Sequence, residues 1–362
     1  MTKYQIRNGK LSCWSFEITS FKEIFQEFTD EELDNIIEIY FRYNKIVSFQ
    51  DFPFLKNLKK LVLFICKISS FQNFPNLPNL KIFDCSRNEI KSFKGLPNLE
   101  NLQTLNCYDN QINSFQDFPH LKNLKKLNCS ENQIRSFKGL SSTNLPKLQK
   151  FNCHYNQIKS FKDFPNLKKL QVLYVNENQI RSFQDFPSLK NLEVIDCFIN
   201  QITSFKNFPS LPKLKILVCW RNQIKSFKYL NYQNLPNLKY LNCGDNQIKS
   251  FKYLNSQNLP NLKYLYCNTN QIRSFQDFPI LNNLKEFSCC YNQIESFEFF
   301  PFCKNLQRLY YWNNPINFIY QNKTIKEIYY INNLLRRCQD NTKILIVKKF
   351  LKDKIKERKL NI

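Results

Sequence analysis

The chain has 362 residues, and its 53 Lys and Arg outweigh 29 Asp and Glu to give a net charge of +24. No apolar run approaches the ~18 residues of a membrane-spanning helix, and the stretch Met1 to Lys10 lacks the apolar segment of a secretory leader. With two His, four Gly, no paired carboxylates in a common geometry and no phosphate-cradling loop, the composition argues against an enzyme.

Residues 1–35 read as an N-terminal cap. Leu11, Cys13, Phe16, Ile18 and Phe21 form a degraded copy of the motif that follows, and Ser20-x-x-Glu23 and Thr29-x-x-Glu32 have the form of capping boxes that open short helices. From residue 36 to residue 316 one 22-residue sentence recurs: Leu-x-x-Leu-x-Cys-x-x-Asn-Gln-Ile-x-Ser-Phe-x-x-Phe-Pro-x-Leu-x-x. Its sixth position falls on Phe41, Leu63, Cys85, Cys107, Cys129, Cys153, Val175, Cys197, Cys219, Cys243, Cys267, Cys289 and Tyr311, which defines thirteen repeats. Three steps are 24 residues long, with the extra pair always between Phe-x-x-Leu and the next Leu-Pro, as expected of a loop on one face of a stacked solenoid.

Within one repeat the Leu-x-Cys stretch alternates with period two, so Leu127 and Cys129 face inward on a short strand while Asn128 and Ser130 face out. The apolar period then changes to three, through Ile112, Phe115, Phe118 and Leu121, which suits 3₁₀ or turn segments and tolerates Pro119 and its equivalents. Asn at the ninth position, from Asn88 to Asn314, offers a donor and an acceptor to the backbone where each strand ends. Phe at the fourteenth position predicts a buried aromatic spine.

Leu102, Leu105, Cys107, Asn110 and Ile112 match the L-x-x-L-x-L-x-x-N/C-x-L segment one for one, with Cys in place of the third Leu. On these residues the chain resembles the leucine-rich repeat family, and its 22-residue length is similar to the class of a phosphatase regulatory subunit and of bacterial internalins. The resemblance implies an α/β solenoid: a leucine-rich repeat horseshoe with a parallel β-sheet on the concave face and 3₁₀ or turn segments on the convex face. It implies that ligands bind the concave face, lined by positions three, five, seven and eight.

Those positions are mostly polar in the early repeats, as in Asp84, Ser86 and Arg87. From the seventh repeat they turn aromatic and predict a protein-binding stripe of Tyr174, Phe198, Trp220, Arg221, Tyr240, Tyr264, Tyr266, Tyr291, Tyr310 and Trp312, with Asp196 and Asp245 selecting against acidic partners. Nine Cys occupy the inward sixth position as a line rather than a tetrahedral cluster, and no C-x-x-C pair occurs. They read as small buried hydrophobes in a reducing compartment, which predicts a cytoplasmic or nuclear protein without metal or cofactor.

Residues 317–362 predict a helical C-terminal cap with a basic tail. Thr324-x-x-Glu327 opens one helix carrying Ile325, Ile328, Ile331, Leu334 and Leu335, and a second is expected from Lys343 with Ile344, Val347, Leu351 and Ile355 on one face. Charge is uneven, with net −4 over residues 1–40 and +6 over residues 341–362, and pairs such as Lys225 and Lys228 or Lys249 and Lys252 recur along one lateral edge. The expected function is a non-enzymatic, monomeric scaffold that binds a partner protein. The alternative is electrostatic binding of nucleic acid or an anionic surface through the basic edge and tail.

Overall fold

The computed structural model describes residues 4–14, 17–230, 233, 235–257 and 259–337. Phe16 of the expected N-terminal cap, the expected second C-terminal helix and the basic tail over residues 341–362 lie outside the described residues. The chain folds as two compact units, Met1–Gln201 with Pro209–Leu211 and Ile202–Phe208 with Pro212–Ile362.

The first unit opens with β1 (Ile6–Arg7) and β2 (Lys10–Trp14), an antiparallel pair, followed by the helices α1 (Lys22–Phe25) and α2 (Asp30–Asp34). β2 pairs in parallel with β3 (Glu38–Arg42), setting Cys13 beside Phe41 and Trp14 beside Arg42, so the degraded segment keeps the register of the repeat. Parallel pairing continues through β4 (Lys60–Phe64), β5 (Ile82–Asp84), β6 (Thr104–Asn106), β7 (Lys126–Asn128), β8 (Lys150–Asn152), β9 (Val172–Tyr174) and β10 (Val194–Asp196). The second unit carries β11 (Ile216–Val218), β12 (Tyr240–Asn242), β13 (Tyr264–Tyr266), β14 (Glu286–Ser288) and β15 (Arg308–Tyr310), again parallel and in register, then a 3₁₀ turn (Phe318–Tyr320) and α3 (Ile325–Arg337). Each unit is therefore a solenoid of stacked strands.

Asn at the ninth position holds neighbouring coils together. The Asn132 amide donates to the carbonyls of Cys107, Cys129 and Ser130 at 3.0–3.2 Å, and its Oδ1 accepts the N–H of Ile112 at 2.9 Å. The same set recurs at Asn110, Asn156, Asn178, Asn246 and Asn270. To aim that side chain back, the preceding residue is left-handed in every repeat, from Tyr43 (φ 57°) to Asn313 (φ 56°). Ile65, Ile199 and Thr269 accept this although β-branched residues disfavour it.

The opposite side consists of isolated turns. Phe164 N–H donates to Phe161 O at 2.9 Å across Lys162 and Asp163, and Asp163 has φ 64°, the positive value that a type II turn requires at its third residue. A positive φ there, as also at Asp51, Asn73, Asp185 and Asn207, ends the turn before a 3₁₀ helix can propagate. At the equivalent Gly139 (φ 103°) a Cβ would collide with the Phe115 carbonyl, so only glycine fits.

The core is continuous within each unit. Phe137, Phe161 and Phe183 stack at centroid separations of 6.2 and 6.0 Å, as do Phe227, Phe251 and Phe275 at 6.3 and 5.7 Å. Full burial of each ring contributes on the order of 1.5–3 kcal/mol. The described cysteines are all buried. Several sixth-position thiols point at the next strand: Sγ of Cys153 approaches Tyr174 O at 3.5 Å, Cys219 approaches Asn242 O at 3.3 Å and Cys243 approaches Tyr266 O at 3.4 Å. A thiol thus adds a weak donor contact that Leu could not.

At the ends, one sequence expectation needs refinement. Thr29 and Glu32 form the expected capping box, but α1 starts at Lys22 with Phe21 as an uncapped N-cap, and Glu23 accepts the N–H of Ser20 from outside a reciprocal box. Thr324 and Glu327 exchange both bonds of their box at 2.9 and 3.3 Å. α3 buries Ile328 and Ile331, and its Asn332 donates to Phe297 O at 2.7 Å while accepting from the Tyr320 hydroxyl at 2.9 Å.

Candidate functional site: the solvent-facing side of the sheet

In the second unit the outward strand positions bring the aromatic residues into three groups. Trp220 carries the Arg221 guanidinium 5.4 Å above its ring, and Arg221 Nε lies 3.4 Å from Asp245. Tyr240 meets Tyr264 at 6.2 Å and Tyr266 at 5.3 Å between centroids. The Tyr266 hydroxyl donates to Glu286 at 2.7 Å, Glu286 also pairs with Arg308 at 3.2 Å, and Tyr310 meets Trp312 edge-on at 5.3 Å. Burial, then the bond to Glu286, holds the Tyr266 phenol above its usual range. Tyr291 and Trp312 remain 55% and 54% exposed, while Trp220, Tyr240, Tyr264, Tyr266 and Tyr310 are half-buried.

Tyr174, Asp196 and Phe198 belong to the first unit. Lys150 Nζ sits 5.0 Å over the Tyr174 ring, and Asp196 accepts the Phe198 N–H at 3.2 Å. Burial pushes the Asp196 carboxyl up to about 6 against that hydrogen bond. The two expected repelling carboxylates are thus engaged in other ways: Asp196 caps a backbone N–H and Asp245 is neutralised by Arg221.

Two expectations about this face are corrected. Ser86, Ser130 and Asn176 stand at the outward seventh position yet are buried, Ser130 to 1% exposure. Asp84 and Asn128 at position five hold Ser86 and Ser130 down: Asn128 Oδ1 accepts both the N–H and the hydroxyl of Ser130 at 3.2 and 2.7 Å, and Asp84 does the same for Ser86. Asn side chains also link across strands, Asn128 to Asn106 at 2.9 Å and Asn106 to Asp84 at 3.0 Å. The early repeats, read as polar, also carry an aromatic and cationic group: Trp14, Arg42, Phe64, Arg87 and Tyr108. Sequence reading missed it because Trp14 lies in the degraded segment. The signal was Leu11-x-Cys13, which places Trp14 at the seventh position with Trp220 and Trp312, so all three Trp of the chain share one register.

The remaining candidate chemistry is sparse. His154 is half-buried beside Asn152 Oδ1 at 2.9 Å, and burial lowers its pKa, while His120 is exposed on the turn side. Among the described residues no cluster of His, Cys, Asp or Glu could hold a metal ion, and no helix is long and apolar enough to cross a membrane.

The family model for leucine rich repeats in two copies matches nine overlapping windows from residues 56–98 to 236–280. Among solved structures, an internalin from Listeria monocytogenes is 25% identical with a TM-score of 0.66, covering 82% of this chain and 88% of its own. A leucine-rich repeat protein of Leptospira interrogans is 22% identical with a TM-score of 0.59, covering 91% and 94%. The LRIM1/APL1C complex gives 17% and 0.64, covering 85% of this chain and 58% of the other. No curated protein sequence matches.

Proposed function

Because the chain belongs to the leucine-rich repeat family, whose members commonly serve as protein–protein interaction scaffolds, we propose that it is a non-enzymatic scaffold that binds a partner protein on the outward strand face of its second unit. The carrying observation is the exposure of Trp312 and Tyr291 on the same strand face as Trp220, Tyr266 and Tyr310. A solvated sheet face has no need of such rings, and Trp, Tyr and Arg dominate interface energetics. Tyr174, Asp196 and Phe198 are proposed as a further contact set on the first unit.

The test is capture from a nuclease-treated lysate with the wild type and with a Trp220→Ala, Tyr266→Ala, Trp312→Ala variant. A protein retained only by the wild type supports the reading. Identical profiles from a folded variant overturn it.

A second reading rests on the lateral edge. Lys225, Lys228, Lys249 and Lys252 are exposed, and Lys228 and Lys252 lie 5.1 and 5.4 Å over the rings of the exposed Tyr229 and Tyr253. Cations alternating with aromatic faces suit nucleic acid or an anionic surface. Replacing the four Lys by Glu abolishes such binding and leaves protein capture on the strand face unchanged.

A further inference from the structure

The first unit holds a ladder that the reading above does not use. Trp14 and Arg42 are neighbours across β2 and β3, and Arg42 and Phe64 are neighbours across β3 and β4. The Arg42 guanidinium lies 5.0 Å from the Trp14 ring centre and 5.9 Å from that of Phe64. Arg87 repeats the pattern, 5.7 Å from Phe64 and 5.9 Å from Tyr108. Two cations thus alternate with three rings along the face.

The two arginines differ in one respect. Arg87 Nε is paired with Asp109 at 3.5 Å. Arg42 is in no ion pair among the described residues, and its Nε is buried without a hydrogen-bond partner. The carboxylates on β3 and β5 are engaged elsewhere. Glu38 accepts from Tyr40 at 2.7 Å and pairs with Lys10 at 3.3 Å, and Asp84 accepts from Ser86 and Asn106. Flanking rings cover the faces of a guanidinium and leave its edge donors for a planar anion. Trp14 and Tyr43 beside it are 55% and 51% exposed.

We propose that this ladder docks an extended acidic peptide segment of a partner protein, with one of its carboxylates paired to Arg42 and the adjoining residues lying on Trp14 and Phe64. A nucleic-acid backbone fits less well. Its phosphates would pass Glu38 on β3 and Asp84 on β5, whereas a single carboxylate needs to meet Arg42 alone. The surface is separate from the aromatic set of the second unit, and its test does not depend on that set.

The full chain carrying Trp220→Phe and Trp312→Phe leaves Trp14 as the sole indole. Labelled octapeptides with one central Glu flanked by apolar and aromatic residues, the same peptides with Gln, and a 12-mer of oligothymidine are titrated by anisotropy and by Trp14 emission. The Glu peptides are expected to bind, to change Trp14 emission and to weaken with salt. Arg42→Gln then lowers affinity by about tenfold or more, the loss of one charged hydrogen-bonded pair, and Arg87→Gln lowers it by less, since Asp109 already occupies that cation. Should Arg42→Gln fail to fold, Arg42→Lys keeps the charge without the planar edge and is expected to lose part of the affinity. Equal binding of Gln peptides, tighter binding of oligothymidine, or unchanged affinity in folded Arg42→Gln overturns the proposal.

Discussion

The Trp220 indole lies over Gly244 of the next coil: a Cβ added to Gly244 would stand 2.9 Å from Trp220 Cδ1. Gly244 has no positive φ that would demand glycine. Its smallness serves the tryptophan. Gly244→Ala should displace the indole, shift tryptophan emission and weaken partner capture, at a cost of about 1–3 kcal/mol, since the added Cβ also meets the Asn268 carbonyl at 3.3 Å. Trp220→Ala should likewise spare stability and reduce capture. A denaturation curve showing unfolding for Trp220→Ala would place the indole in the core instead.

Asn132 shows what the ninth position is worth. Asn132→Ala removes a donor shared by three buried carbonyls and the acceptor of Ile112 N–H. The expected cost is about 1–3 kcal/mol, and in a solenoid it should fall mainly on the adjacent coils. Hydrogen exchange is expected to rise locally, and urea denaturation measures the total.

The left-handed residue before each Asn offers a gain. Thr269 is exposed, β-branched and held at φ 52°. Asn tolerates that conformation better and occupies it naturally at Asn313. Thr269→Asn should stabilise the fold by roughly 0.5–1 kcal/mol, read as a rise in thermal midpoint.

Asp196 predicts a pH dependence with a defined sign. Its folded pKa of about 6 lies above the ordinary value near 3.8. The folded state therefore binds the proton more tightly, and stability attributable to this group falls as pH rises from about 4 to 6 and stays reduced above that window. Asp196→Asn keeps an acceptor for Phe198 N–H and should flatten this slope. Parallel thermal melts at pH 4, 5, 6 and 7 compare the two proteins.

The cysteine column should be chemically silent. Burial pushes the thiols up, Cys243 to about 12 and Cys153 further. Peptide mapping after thiol labelling at pH 8 should find Cys129, Cys153, Cys219 and Cys243 unmodified until denaturant is added.

Much of this molecule could be read before any coordinates. The 22-residue period, the inward Leu and Cys, the Phe spine and the ninth-position Asn follow from local pattern, because each coil repeats the same contacts with its neighbour and the sequence spells them once per turn. Other features depend on what stands one coil away. That Asp245 is neutralised by Arg221, that Gly244 makes room for Trp220 and that Arg42 is clamped between Trp14 and Phe64 all come from residues 22 to 28 positions apart becoming neighbours across the parallel ladder of their own unit. The repeat determines that two side chains are adjacent. Only the folded structure decides their rotamers, burial and partners, because the outward positions vary from coil to coil and each is shaped by the two beside it.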